Sequence, residues 1–298
     1  SCQDAYEIDQ PGLITEESQV FKDASTVNRG VLAIYKRLVP ENDVKFQTVF
    51  TDEVGLGHQN GGAGINDGSY AQSFWYGGYG TIFQINRILK VVDGLINSET
   101  NVANLKSLKK SKAELLGLRA YCNLNMFAYF TPDYTNPSGL SIMKLDFIPS
   151  DDFKTSVPRS SVSEIEAFIV DDIEKAMESY FGDQTYSVLG NEYITKGALD
   201  AMLVKLFSMT GKYDKVIEIG SQFIGSVHGF DSPASYKNMY LMNDTSLKNE
   251  VIFRLVRDES ESFTVADIWY TNRIGRAGNV QFDIGRSLYN ELDRLDPT

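Results

Sequence analysis

Phe74, Gly78, Ile82, Ile85, Leu89, Val92 and Ile96 recur at steps of three and four. That spacing puts them on one face of an α-helix. A helix with so long an apolar stripe has to bury it against other elements, which directs the chain towards a helical bundle. Gly77, Gly78 and Gly80 interrupt the first turns of the stripe. Each costs about 1 kcal/mol against Ala inside a helix, so either the helix starts late or a neighbour packs closely there.

Further helices are predicted on both sides. A short amphipathic helix is expected at Val27–Leu38 and a long one from Leu105 to Phe130, ended by Thr131-Pro132. Lys106, Lys109, Lys110 and Lys112 crowd the start of the long helix and read as a solvated face. Cys122, in the apolar run "LRAYCNLNMFAYF", reads as a small buried side chain. In "PRSSVSEIEAFIVDDIEKAMESY", Ser161 and Glu164 fit a capping box, with Ile165, Ile169, Ile173, Ala176 and Tyr180 on one apolar face. The adjacent Asp171 and Asp172 point about 100° apart on a helix and cannot share a proton. They too read as a solvated face.

Residues 195–224 predict a helical hairpin. Thr195 caps a helix that is apolar almost all round: Ala198, Leu199, Met202, Leu203, Leu206, Phe207. Gly211-Lys212-Tyr213 is the turn, and Val216, Ile217, Gly220, Phe223 and Ile224 mark the second helix. Helix, Gly-x-Tyr, helix is the order of one tetratricopeptide unit. "EVIFRLV" (250–256) alternates like a strand, and "SLYNELDRLDPT" reads as a last helix stopped by Pro297. The fold class is therefore mainly α, with long irregular loops and a small β element.

Composition narrows the function. The 298 residues carry a formal charge of −12, which argues against nucleic acid, since phosphate contacts need Lys and Arg. Aromatic content of 12% excludes a disordered chain. No run reaches the roughly 18 apolar residues of a spanning helix, and no signal-peptide pattern is present, so the chain reads as cytosolic or as one from which a targeting segment has been cut. The two cysteines and two histidines (Cys2, Cys122, His58, His228) lie far apart and show no metal-ligand spacing. Nucleophile-elbow, phosphate-loop and zinc-protease motifs are absent. No catalytic residue, metal or cofactor is expected.

Binding chemistry has better candidates. "GLGHQNGGAGINDGS" (55–69) is rich in Gly and Asn and almost free of apolar residues, the composition of a long functional loop. His58, Asn60, Asn66 and Asp67 lie in it, and Tyr70, Trp75 and Tyr76 follow directly. Trp269 and Tyr270 stand in a second irregular segment outside any apolar stripe. Sugar rings stack on Tyr and Trp faces, and Asn and Asp side chains bond hydroxyls, so these nine residues form the candidate ligand-binding set.

Seven stretches in order along almost the whole chain resemble the SusD/RagB-like lipoproteins of Bacteroidetes. "CQDAYEID" resembles their mature N-terminus, and "WYGGYGTIFQINRIL" the helix motif carrying Trp75, Tyr79, Ile82 and Asn86. "AELLGLRAYCNLNMFAYF" resembles their acidic-then-Leu-Arg-Ala-Tyr helix, with Glu114, Leu118, Arg119, Ala120 and Tyr121. "PRSSVSEIEAFIVDDIEKAM" resembles their Pro-Arg-Ser/Thr start, and "TKGALDAMLVKLFSMTGKYDKVI" their tetratricopeptide-like pair. "LKNEVIFRL" and "LYNELDRLDP" resemble two later segments. Gly197-Ala198 departs from a run of small residues in many relatives, and those relatives continue past the Asp-Pro segment.

The resemblance implies one SusD-like domain over residues 1–298 that lacks a C-terminal part of longer relatives. It implies a binding protein, not an enzyme. Such a protein takes an oligosaccharide or other nutrient on the extracellular face of the outer membrane and serves a SusC-like TonB-dependent transporter. Cys2 would then carry the lipid anchor, as the first mature residue. The alternative is a helical-repeat scaffold that binds only protein.

Overall fold

The computed structural model describes residues 17–38, 43–44, 47–48, 51, 54–56, 69–149, 156–186, 190–224, 232–241, 251–256 and 282–295. The chain divides into two compact units, Ser1–Lys36 with Gly78–Arg254, and Arg37–Gly77 with Leu255–Thr298. Its elements run α1 (Glu17–Val20), α2 (Ala24–Arg37), β1 (Val54–Leu56), α3 (Ser69–Ser98), α4 (Val102–Phe130) and α5 (Val162–Ala176). After a π-helical turn at Met177–Phe181 come α6 (Lys196–Met209), α7 (Tyr213–Ile224), α8 (Pro233–Leu241), β2 (Phe282–Ile284) and α9 (Arg286–Leu295). The mainly helical class expected from periodicity is what forms.

The larger unit is built around α4, which packs most extensively on α5 and also on α6. Leu115, Leu118, Leu124 and Phe127 of α4, and Ile165, Ile169 and Ile173 of α5, are fully or almost fully buried. The stripe on α3 is buried at Ile82, Ile85 and Val92 and half-buried at Leu89 and Ile96, and Ile88 beside it is buried too. Its helix runs straight through the three glycines from Ser69. Close packing explains one of them, because a Cβ on Gly78 would stand 2.5 Å from Met126 Sδ of α4, whereas Gly77 has open space.

Caps set the helix starts. The Asn101 side chain accepts the N–H groups of Ala103 and Asn104 at 2.9 and 3.1 Å, opening α4. Ser161 and Glu164 form the expected reciprocal box at α5. Thr195 caps α6 through the Ala198 N–H at 3.2 Å. Gly211 turns the α6–α7 hairpin at φ +76°, a conformation that β-carbons resist. Cys122 is buried, as its apolar surroundings predict.

Two expectations are corrected. Residues 251–256 form no strand. Their backbone is taken up by a single residue: the Asn191 amide donates to Val251 O at 3.0 Å, and the Arg254 N–H donates to Asn191 O at 2.9 Å. Phe253, half-buried, meets Tyr121 edge-on at 5.6 Å. The β element lies in the smaller unit, where β1 and β2 pair antiparallel, Val54 opposite Ile284 and Leu56 opposite Phe282. The second correction is Asp172. Asp171 is solvated and paired with Lys175 at 2.7 Å, but Asp172 is completely buried.

Candidate functional site

Polar residues of three helices hold one extended segment against the bundle. The Tyr79 hydroxyl donates to Met143 O at 3.1 Å and accepts the Met143 N–H at 2.7 Å. Two turns further along α3, the Asn86 amide donates to both Leu145 O and Phe147 O at 3.0 Å. Asn86 Oδ1 accepts from Arg119 Nη1 at 2.7 Å. Arg119 then grips Asp172 through Nε at 2.8 Å and Nη2 at 2.6 Å. At the near end of the segment Arg159 donates to the carbonyls of Ser141 and Phe130. These residues carry the sequence motifs, and their work is structural: they satisfy carbonyls that have no sheet partner, at a depth where an unmet polar group is expensive.

A cleft of about 550 Å³ opens in the same unit between the 134–137 loop, α5, α6 and α7. Val162, Ala167, Val170, Leu203, Phe207 and Ile219 give it an apolar floor. Its rim is charged: Lys212 pairs with Glu166, and Lys215 with Glu218 at 3.0 Å. The Tyr134 hydroxyl on its wall is already committed to Ala128 O. An apolar floor inside a ring of paired charges suits a protein surface better than a sugar, which needs unspent hydroxyl and amide groups. The sequence reading missed this cleft. The available signal was the apolar Val170, which lies off the Ile165–Ile169–Ile173 face.

Among the predicted ligand residues, Tyr70, Trp75 and Tyr76 fall on the first two turns of α3. Trp75 and Tyr76 point about 100° apart, and their exposure differs accordingly: Trp75 is half-buried, while Tyr76 is 72% exposed. His58, Asn60, Asn66, Asp67, Trp269 and Tyr270 lie outside the described residues, as does Cys2. Among the described residues no group of His, Cys, Asp and Glu is arranged to hold a metal. No helix among them is long and apolar enough to cross a membrane.

No family model matches the chain, and no curated protein matches it in sequence. Solved structures do match. A putative sugar binding protein from Bacteroides vulgatus ATCC 8482 superposes with a TM-score of 0.67 at 17% identity, over 92% of this chain and 62% of its own. A SusD homolog from Bacteroides thetaiotaomicron VPI-5482 gives 0.66 at 13% identity, over 95% and 58%. A SusD-like carbohydrate binding protein from Bacteroides vulgatus ATCC 8482 gives 0.59 at 14% identity, over 72% and 47%. The chain thus spans about half to three fifths of the length of these structures. The shared arrangement covers most of this chain, and it establishes the architecture: this protein is built on the SusD-like fold.

Proposed function

We propose that this protein binds glycans or related nutrients at the cell surface and passes them to a SusC-like TonB-dependent transporter in the outer membrane. The observation that carries the reading is the likeness of most of the chain to solved structures named as sugar-binding or carbohydrate-binding proteins. The reading assigns no catalysis. It gives ligand contact to the loop residues His58, Asn60, Asn66 and Asp67, to Tyr70, Trp75 and Tyr76, and to Trp269 and Tyr270. Exposed Tyr76 offers an aromatic face of the kind a sugar ring stacks on. It gives Cys2 the lipid, which together with further acyl chains is ample for anchoring.

A second reading, a scaffold that contacts only protein, draws support from the apolar-floored cleft beside the α6–α7 hairpin. The two are separated by titrating the purified protein with oligosaccharides while asking what copurifies from native outer membrane. Saturable glycan binding with a TonB-dependent transporter in the eluate supports the first reading. Protein partners with no glycan binding support the second.

A further inference from the structure

Asp172 and Glu114 are the most deeply buried of the described carboxylates in the larger unit, and they are treated differently. Asp172 meets Arg119 at two close points. Glu114 is only 3% exposed, yet its partners stand off: the Tyr35 hydroxyl is 3.5 Å from Oε1 and Lys110 Nζ is 3.8 Å away. Ordinary O–H···O hydrogen bonds are about 2.5–3.0 Å long, so the ionised carboxylate is poorly compensated.

The surroundings of Glu114 join three parts of the chain. Tyr35 belongs to α2, and its oxygen accepts the Ile194 N–H at 2.7 Å. The Tyr193 ring meets the Tyr35 ring edge-on at 5.4 Å. Lys110 Nζ lies 5.5 Å from the Tyr193 centroid. Lys110 of α4, Tyr35 of α2 and Tyr193 of the stretch leading into α6 are the charged and titratable groups of this cluster.

We propose that Glu114, Tyr35, Lys110 and Tyr193 form a proton-linked latch that fastens α2 and the 190–195 stretch to α4 and loosens when Glu114 ionises. Burial pushes the Glu114 carboxyl up to about 7, against the opposing pull of Lys110 and of the Tyr35 hydrogen bond. Burial, and then the charge of Glu114, hold the Tyr35 hydroxyl well above its ordinary range, so it stays a donor throughout. The sign follows from the raised value. When the latch opens, the carboxyl returns towards its ordinary 4.5. The closed form therefore has its full advantage below 4.5, loses it as pH rises through 7, and changes little above that.

Hydrogen exchange tests this on the 298-residue protein, read in peptides covering 31–37 and 190–199 and corrected for intrinsic rates. Protection in both segments is expected to fall about tenfold or more between pH 5.5 and pH 8. In Glu114→Gln, which cannot ionise, that dependence is expected to vanish. Lys110→Ala removes an exposed cation and is expected to move the midpoint to higher pH with the fold intact. The same pH dependence in Glu114→Gln as in the parent, or an unmoved midpoint in Lys110→Ala, overturns the latch. Should Glu114→Gln fail to fold, the Lys110→Ala midpoint decides.

Discussion

Arg119 donates two hydrogen bonds to Asp172, from Nε at 2.8 Å and from Nη2 at 2.6 Å, with the arginine side chain 10% exposed and the aspartate side chain not at all. The pair joins α4 to α5 at the most extensive helix contact of the larger unit. The Phe168 ring lies beneath the guanidinium, 5.0 Å from its carbon, and excludes water from one side. Arg119→Ala leaves a buried carboxylate without its cation and is expected to cost about 3–5 kcal/mol. Replacing both members, as Arg119→Met with Asp172→Leu, is expected to cost less than either single change. Urea unfolding of the two single variants and the double variant checks this.

Asn86 satisfies two carbonyls and one arginine N–H at once. Asn86→Ala therefore leaves two buried polar groups, Leu145 O and Arg119 Nη1, and the part-buried Phe147 O short of a partner, at about 1–3 kcal/mol for a buried unsatisfied group. The loss is expected to be local as well as global. Limited proteolysis should cut the variant within 140–147 earlier than the parent. Tyr79→Phe, which removes the hydroxyl that bonds Met143, is expected to show the same change in weaker form.

Ser161→Ala removes the side chain that accepts the Glu164 N–H and bonds the Glu164 carboxylate. About 1 kcal/mol of stability is expected to go with it. The Glu164 carboxyl is held below its ordinary range chiefly by the Ser161 backbone hydrogen bond. Carbonyl NMR titration of Glu164 should then show its pKa rising towards 4.5 in a variant that breaks the box, such as Ser161→Pro, which removes that N–H.

Gly211 sits at φ +76° with open space where a Cβ would go. Its requirement is conformational, not steric, so Gly211→Ala is expected to cost about 1–2 kcal/mol through the backbone alone. Gly211→Asn, whose side chain tolerates that region, should recover part of it. Thermal melts of the two variants beside the parent make the comparison.

The fold was largely legible because its signals are local. Spacing of three and four found the helices, Ser161 with Glu164 and Thr195 marked two starts, and Gly211 marked the hairpin turn. What escaped depends on residues distant in sequence. Asp172 looked solvated because nothing nearby announces that Arg119, 53 positions away, will meet it. The alternating run at 251–256 reads as a strand because alternation does not report where the backbone bonds go; here they go to Asn191. The cleft between α5 and the hairpin is a product of helix packing, which no single stripe encodes. Of the expected ligand residues, Tyr76 is exposed as a stacking ring must be, and half-buried Trp75 fits its place in the α3 motif equally well.

Glycan titration tests the central claim most directly. Trp269→Ala and the parent, each in the longest form of the protein, are titrated with an oligosaccharide series by calorimetry and tryptophan fluorescence. Stacking on one ring is worth about 1 kcal/mol beyond the area it buries, so affinity is expected to be weak for a single sugar and to rise with oligomer length. Trp269→Ala is expected to weaken it. Saturable binding that strengthens along the series is the result predicted; no binding by any glycan, including the longest, would contradict the carbohydrate-binding account.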